Sequence, residues 1–136
     1  MEEERVSQPY KYKILLMDDD EFIRVAYASL LEEIGYIVVT SEDGNQAIVK
    51  YKEALKNNNP FDVVILDLTV PRGMGGIETT RHIFSLESNA KIIISSGITE
   101  DDTIINWQDY GFKGVIEKPF KIEELDTLLQ KIMNNS

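Results

Sequence analysis

Two apolar runs in this chain end in carboxylates. Ile14-Leu15-Leu16-Met17 leads into Asp18-Asp19-Asp20, and Val63-Val64-Ile65-Leu66 closes on Asp67. Carboxylates repel one another, so gathering them costs free energy unless a cation or a proton shares the site. If the two runs are neighbouring strands of one parallel sheet, their C-terminal ends meet at a single pocket. A hard divalent ion held through oxygen ligands best explains such a cluster. Other chemistry-bearing residues also follow apolar runs. Ser95-Ser96-Gly97 comes after Ile92-Ile93-Ile94 and sets a hydroxyl beside a residue that permits close backbone approach. Lys118-Pro119-Phe120 comes after Val115-Ile116, where a proline cannot continue a ladder and so fixes the direction of Lys118. Pro71 with Gly73, Gly75 and Gly76 makes a loop after Asp67. A nucleophilic carboxylate, a metal site, a hydroxyl donor and a fixed cation are the inventory of phosphoryl transfer, whose work is mostly positioning and charge neutralisation.

The elements that must hold these residues alternate regularly. The pattern predicts strands over 13–17, 37–40, 62–66, 91–95 and 114–117, and helices over 21–34, 44–56, 77–86, 101–110 and 122–133. The first helix gathers Phe22, Val25, Ala26, Ser29 and Leu30 on one face, with Gly35 as terminator. The last carries Leu125, Leu128, Leu129 and Ile132 on one stripe. Ile104, Ile105, Trp107 and Tyr110 make no clean face on the fourth. Three strands are continuously apolar, as strands covered on both sides are, so the expected fold is α/β with a parallel sheet and helices on each face. Ligands of such sheets bind beyond the carboxyl ends of the strands, where both acidic clusters fall.

With 136 residues, 43% of them hydrophobic, the chain suits a single domain with a real core and leaves no room for an effector beside it. A polar lead-in is expected over 1–12, the domain over 13–133 and a short tail over 134–136. The net charge of −10 argues against direct nucleic-acid binding. The absence of cysteine excludes disulfides and thiolate metal sites. The acidic start Met1-Glu2-Glu3-Glu4 is unlike a signal peptide, and no apolar stretch approaches the ~20 residues of a membrane span. A cytoplasmic protein without membrane insertion is the expectation.

On the motifs Leu15-Leu16-Met17-Asp18-Asp19-Asp20, Val64-Ile65-Leu66-Asp67 followed by Pro71 and Gly73, Ser96-Gly97 and Lys118-Pro119-Phe120, the chain resembles the receiver domains of two-component response regulators. The resemblance runs from Lys13 to Met133 and has four motifs in order at the right strand ends. It implies a doubly wound, flavodoxin-like (βα)5 domain with strand order 2-1-3-4-5. It also implies that Asp67 accepts a phosphoryl group from a kinase histidine, with Asp18, Asp19, Asp67 and the carbonyl of Thr69 holding Mg2+. Lys118 would pair with Asp67 and then with the phosphoryl oxygens, Ser96 would hydrogen-bond one of them, and the Lys118–Pro119 bond would be cis. The implied partners are a sensor histidine kinase or a histidine phosphotransfer domain, for a monomer or weak dimer that assists its own phosphorylation but is not a turnover enzyme. The loop from Leu68 to Gly76 is one residue longer than usual, and Gly75 stands where Asp is frequent; both features look like receivers of hybrid sensor histidine kinases. Glu21 replaces a frequent Pro, and Val115 a usual aromatic.

Two rivals come from other classes. A Mg2+-dependent phosphatase or phosphotransferase of the haloacid dehalogenase type needs an Asp nucleophile after the first strand and another Asp two residues on, as Asp18 and Asp20 are spaced. Phe22 stands where that family has Thr or Val. A pseudo-receiver acting only as a binding surface would not keep Asp18, Asp19, Asp67, Ser96 and Lys118 together. Plainer roles exist for single residues: Asp20 as a helix cap, Lys118 as a solvated strand-end charge, Ser96 as a partner for backbone groups, the glycines after Pro71 as a turn. His82 is expected to be an ordinary surface residue, and Trp107 either a partner contact or half-buried.

Overall fold

The computed structural model describes residues 12–68, 70, 73–97 and 102–134. In chain order the elements are β1 (Lys13–Met17), α1 (Glu21–Glu33), β2 (Ile37–Ser41), α2 (Gly44–Lys56), β3 (Val63–Asp67), α3 (Gly76–Leu86), β4 (Ile92–Ser96), α4 (Asp102–Ile105), a 3-10 turn (Trp107–Tyr110), β5 (Gly114–Glu117) and α5 (Ile122–Asn134). All strand pairs are parallel and the order is β2-β1-β3-β4-β5, as expected. The lead-in residues before Tyr12 lie outside the described residues. The Tyr12 carbonyl accepts from the Ile37 N–H at 3.0 Å. Among the described residues no helix is long and apolar enough to cross a membrane.

Period-two alternation along the apolar strands feeds two cores. Ile14, Leu16, Val63, Ile65 and Ile116 pack with Leu31, Leu125 and Leu129 under α1 and α5. Leu15, Met17, Val64, Leu66, Ile92 and Ile94 pack with Ala47, Tyr51 and Ile83 under α2 and α3. This parity also sets the site. Asp18, Asp67 and Lys118 stand two residues beyond Leu16, Ile65 and Ile116, which share one core.

Three local expectations are corrected. The apolar face of α1 named above points to solvent: Phe22 is 86% and Val25 54% exposed, and Ala26, Ser29 and Leu30 are exposed too. Packing instead uses Tyr27, Ala28, Leu31 and Ile34. β3 and β4 each run one residue further than expected, because the ladder pairs Asp67 with Ser95 and Ser96 with Glu117. The fourth helix is a four-residue piece and a separate 3-10 turn with Asn106 between them, the Asn106 amide donating back to the Asp102 carbonyl and carboxylate. Without one apolar face, no single axis could bury that segment.

The turn after β5 is locked to α1. Tyr27 and Phe120 stack with ring centroids 4.0 Å apart, the Tyr27 hydroxyl donates to the Phe120 carbonyl at 3.2 Å, and it accepts from the Phe120 N–H at 3.1 Å. Tyr27→Phe keeps the stack but leaves that N–H without its acceptor. It should destabilise the domain by about 1–3 kcal/mol in urea unfolding with an unchanged denaturant slope; equal stability would mean the bonds contribute nothing to this turn.

Candidate functional site

The parallel register carries both acidic clusters to one end of the sheet. Met17 pairs with Leu66, so Asp18 and Asp67 sit side by side one step on. The Asp18 N–H continues the ladder by donating to the Ser41 carbonyl at 3.1 Å, and Arg24 from α1 donates to the Asp18 carbonyl at 2.8 Å. The Asp18 Oδ1 accepts from the Asp20 N–H at 2.9 Å, and Asp20 caps α1 by accepting from the Ile23 N–H at 3.0 Å. Capping therefore holds for Asp20, alongside whatever its neighbours do.

Lys118 arrives from two strands away. Its Nζ is 2.8 Å from Asp18 Oδ2 and 3.2 Å from Asp67 Oδ1. Its backbone N–H donates to the Ser96 carbonyl at 2.8 Å, and the Lys118–Pro119 bond is cis as expected. Ser96 is buried at the end of β4, next to Ser95, whose carbonyl accepts from the Leu68 N–H at 2.8 Å. Asp18 and Asp67 are buried while Asp19 is exposed, and oxygens of all three lie within 4.8 Å of one another. Three oxygen donors with one water-facing member suit a hard ion that retains part of its hydration shell, which is the demand of Mg2+. Thr69 and Pro71 lie outside the described residues.

The start of α3 presses on the same strand end. A Cβ on Gly76 would come within 2.8 Å of the Asp67 carbonyl oxygen and of Ile94, so this helix can approach only as glycine. Gly75 caps α3 without a side chain, and the Met74 carbonyl accepts from the Gly44 N–H at 2.9 Å, tying the loop after Asp67 to α2. His82 is exposed on α3, away from the strand ends, and Trp107 is half-buried. Arg24 escaped the sequence reading. It works through a backbone carbonyl six residues back, a contact that no side-chain motif records.

Burial raises the Asp67 carboxyl most, and Asp18 and Asp19 add to it against the pull of Lys118, leaving it at about 6. The Lys118 amine is lowered by burial, but its hydrogen bond to Asp18 and the charge of Asp67 outweigh that, and its pKa is raised. The site is thus poised to take up a cation or a proton.

Comparisons agree with this geometry. A family model described as the response regulator receiver domain matches residues 14–130. The chain is 32% identical to the chemotaxis protein CheY of Bacillus subtilis over 124 residues, 90% of this chain and 98% of the relative. It is 35% identical to the CAI-1 autoinducer sensor kinase/phosphatase CqsS of Vibrio cholerae over 90% of this chain but only 17% of that kinase. A solved CheX-CheY-BeF3-Mg+2 complex from Borrelia burgdorferi superposes with a TM-score of 0.81 at 25% identity, covering 94% of this chain and 93% of that one.

A carboxyl group raised to about 6 in the folded state lies above its unfolded value near 4, so its ionisation opposes folding. That cost is fully present above pH 6 and disappears as pH falls toward 4. Asp67→Asn should therefore stabilise the metal-free domain at pH 8 by on the order of 1–3 kcal/mol, with the gap to the parent closing between pH 6 and pH 4. Thermal unfolding across pH checks this; a gap independent of pH would contradict it.

Proposed function

This chain belongs to the response regulator receiver domains of two-component signalling, and on that footing we propose that Asp67 accepts a phosphoryl group from a phosphohistidine of a sensor kinase or a histidine phosphotransfer domain. The observation that carries this reading is the single Lys118 amine shared by Asp18 and Asp67 beside a third carboxylate. An Asp67 oxygen attacks phosphorus, the O–P bond forms as the P–N bond breaks, and the departing imidazole nitrogen takes a proton from solvent. Lys118 is already in place to meet charge on the phosphoryl oxygens, and the Ser96 hydroxyl hydrogen-bonds one of them. Asp18, Asp19, Asp67 and the Thr69 carbonyl would hold Mg2+, which supplies charge neutralisation between a dianionic donor and an acidic pocket. The Mg2+ in the Borrelia burgdorferi complex supports that assignment. The domain is a phosphoacceptor that assists its own labelling, not a turnover enzyme.

The outward apolar stripe of α1 is the surface on which we place the donor. It begins two residues after the Asp20 cap, beside the site, with Phe22 and Val25 unpacked against the domain. For the output, Val115 has no ring to swing and is stiff at χ1. The domain accordingly passes phosphate on or drains it without a large surface switch, a role that suits a receiver within a longer sensor kinase; the CqsS sensor kinase/phosphatase, of which this chain covers 17%, supports that reading.

Acetyl phosphate with Mg2+ should add one phosphoryl group to the parent, and none to Asp67→Asn or in EDTA; full labelling of either would overturn the assignment of Asp67 or of the metal. Phe22→Ala should slow transfer from a cognate phosphohistidine protein by about tenfold while leaving labelling by acetyl phosphate unchanged. Equal loss with both donors would remove α1 as the docking surface.

A further inference from the structure

The amino-terminal end of the sheet, remote from Asp67, carries a hollow of about 390 Å³ whose walls include Lys91, Lys113, Lys131, Trp107, Val115 and Leu128. Lys91 precedes β4, Lys113 precedes β5, and Lys131 lies in the last turn of α5. Because the strands are parallel, these lysines gather at the end opposite Lys118, which follows β5 about 16 Å beyond Lys113. In a chain with 24 acidic and 14 basic residues, a basic cluster is expected to be neutralised by neighbours. This one is not. Among the described residues no carboxylate lies within ion-pair distance of the three amines, and no ring or amine stacks on Trp107. Asp109 lines an adjoining hollow with Lys91 and Lys113 and pairs with neither.

The shape follows from the residues. A Cβ on Gly114 would come 3.0 Å from a Leu128 methyl, so strand and helix close tightly there. Val115, one residue on and on the other face of the strand, packs with Trp107 against the core under α2 and α3 and also lines the hollow. The result is a concavity lined by an indole, aliphatic groups and three lysine side chains. Its volume suits one small molecule, and its mix of apolar wall and few charges is that of a ligand pocket. We propose that it binds a small anion with a flat aromatic body, of the nucleoside phosphate class. The heterocycle lies against Trp107, Val115 and Leu128, and the phosphate is met by the lysine ammonium groups. The negative surface elsewhere does not prevent this, since it is screened beyond roughly 8–10 Å at physiological salt.

The chain has one tryptophan, so the Trp107 indole N–H gives a single NMR signal. Titrating AMP in EDTA into the labelled full chain should move that signal together with the Lys113 and Gly114 amides on one saturable curve, with a Kd on the order of 0.1–1 mM. Lys113→Gln and Lys131→Gln should each weaken binding at least about threefold, and added salt should weaken it further. Adenosine and inorganic phosphate should each leave the indole signal nearly unmoved. Asp67→Asn should bind AMP as the parent does, which separates this site from the phosphoacceptor reading. A response that never saturates, that survives both lysine substitutions, or that polyglutamate reproduces as strongly as AMP would overturn the proposal.

Discussion

Lys118 stands 2.8 Å from Asp18 and 3.2 Å from Asp67, so one amine offsets two carboxylates that are each only 4% exposed. Either acid alone in that position would cost several kcal/mol as an unpaired buried charge. Much of the surrounding structure serves to bring the amine to them. The parallel register delivers the two acids, the turn at Pro119 redirects the chain after β5, and the Tyr27–Phe120 stack fastens that turn to α1. Arg24, on the same helix, holds the Asp18 backbone. One positive charge against three negative ones still leaves a deficit. The raised Asp67 carboxyl expresses that deficit, and a divalent ion would remove it.

The features legible in the sequence were those in which local pattern and tertiary role coincide. Continuous apolar runs bounded by Asp67, Ser96 and Lys118 marked strands buried on both sides, and the strand ends marked the pocket. The face of α1 was misread because the helix is apolar on two sides. Tyr27, Leu31 and Ile34 have helical spacing as regular as that of Phe22, Val25 and Ser29, and only docking on the sheet distinguishes them. The final residues of β3 and β4 were missed because a ladder bond such as Leu68 to Ser95 belongs to a neighbouring strand. Arg24 and the clustered lysines at the far end were invisible for the same reason: their meaning lies in contacts across the fold.

Charge is distributed with a direction along the sheet. At the carboxyl ends of the strands, acids predominate and Lys118 is fully engaged. At the amino ends, Lys91 and Lys113 enter β4 and β5 with no acid partner among the described residues. Both kinds of site share β5, which begins beside Trp107 and Leu128 and ends at the lysine of the acidic pocket. An overall charge of −10 conceals this arrangement, because within a Debye length the local groups decide which ligand is attracted.

The same contacts weigh against the rival nucleophile that the sequence offered. A phosphatase of the dehalogenase type would attack from Asp18, with Asp20 as its second Asp. Here both oxygens of Asp18 are engaged, Oδ2 with the Lys118 amine and Oδ1 with the Asp20 N–H. Asp20 is itself exposed and occupied in capping α1 through the Ile23 N–H. Activating Asp18 would mean breaking a buried ion pair and a turn together, whereas Asp67 lies at the end of β3 with Lys118 already beside it. The fold pins Asp18 in an ion pair and a turn, whereas Lys118 offsets the buried charge of Asp67 only in part, so Asp67 gains from taking up a cation or forming a new bond.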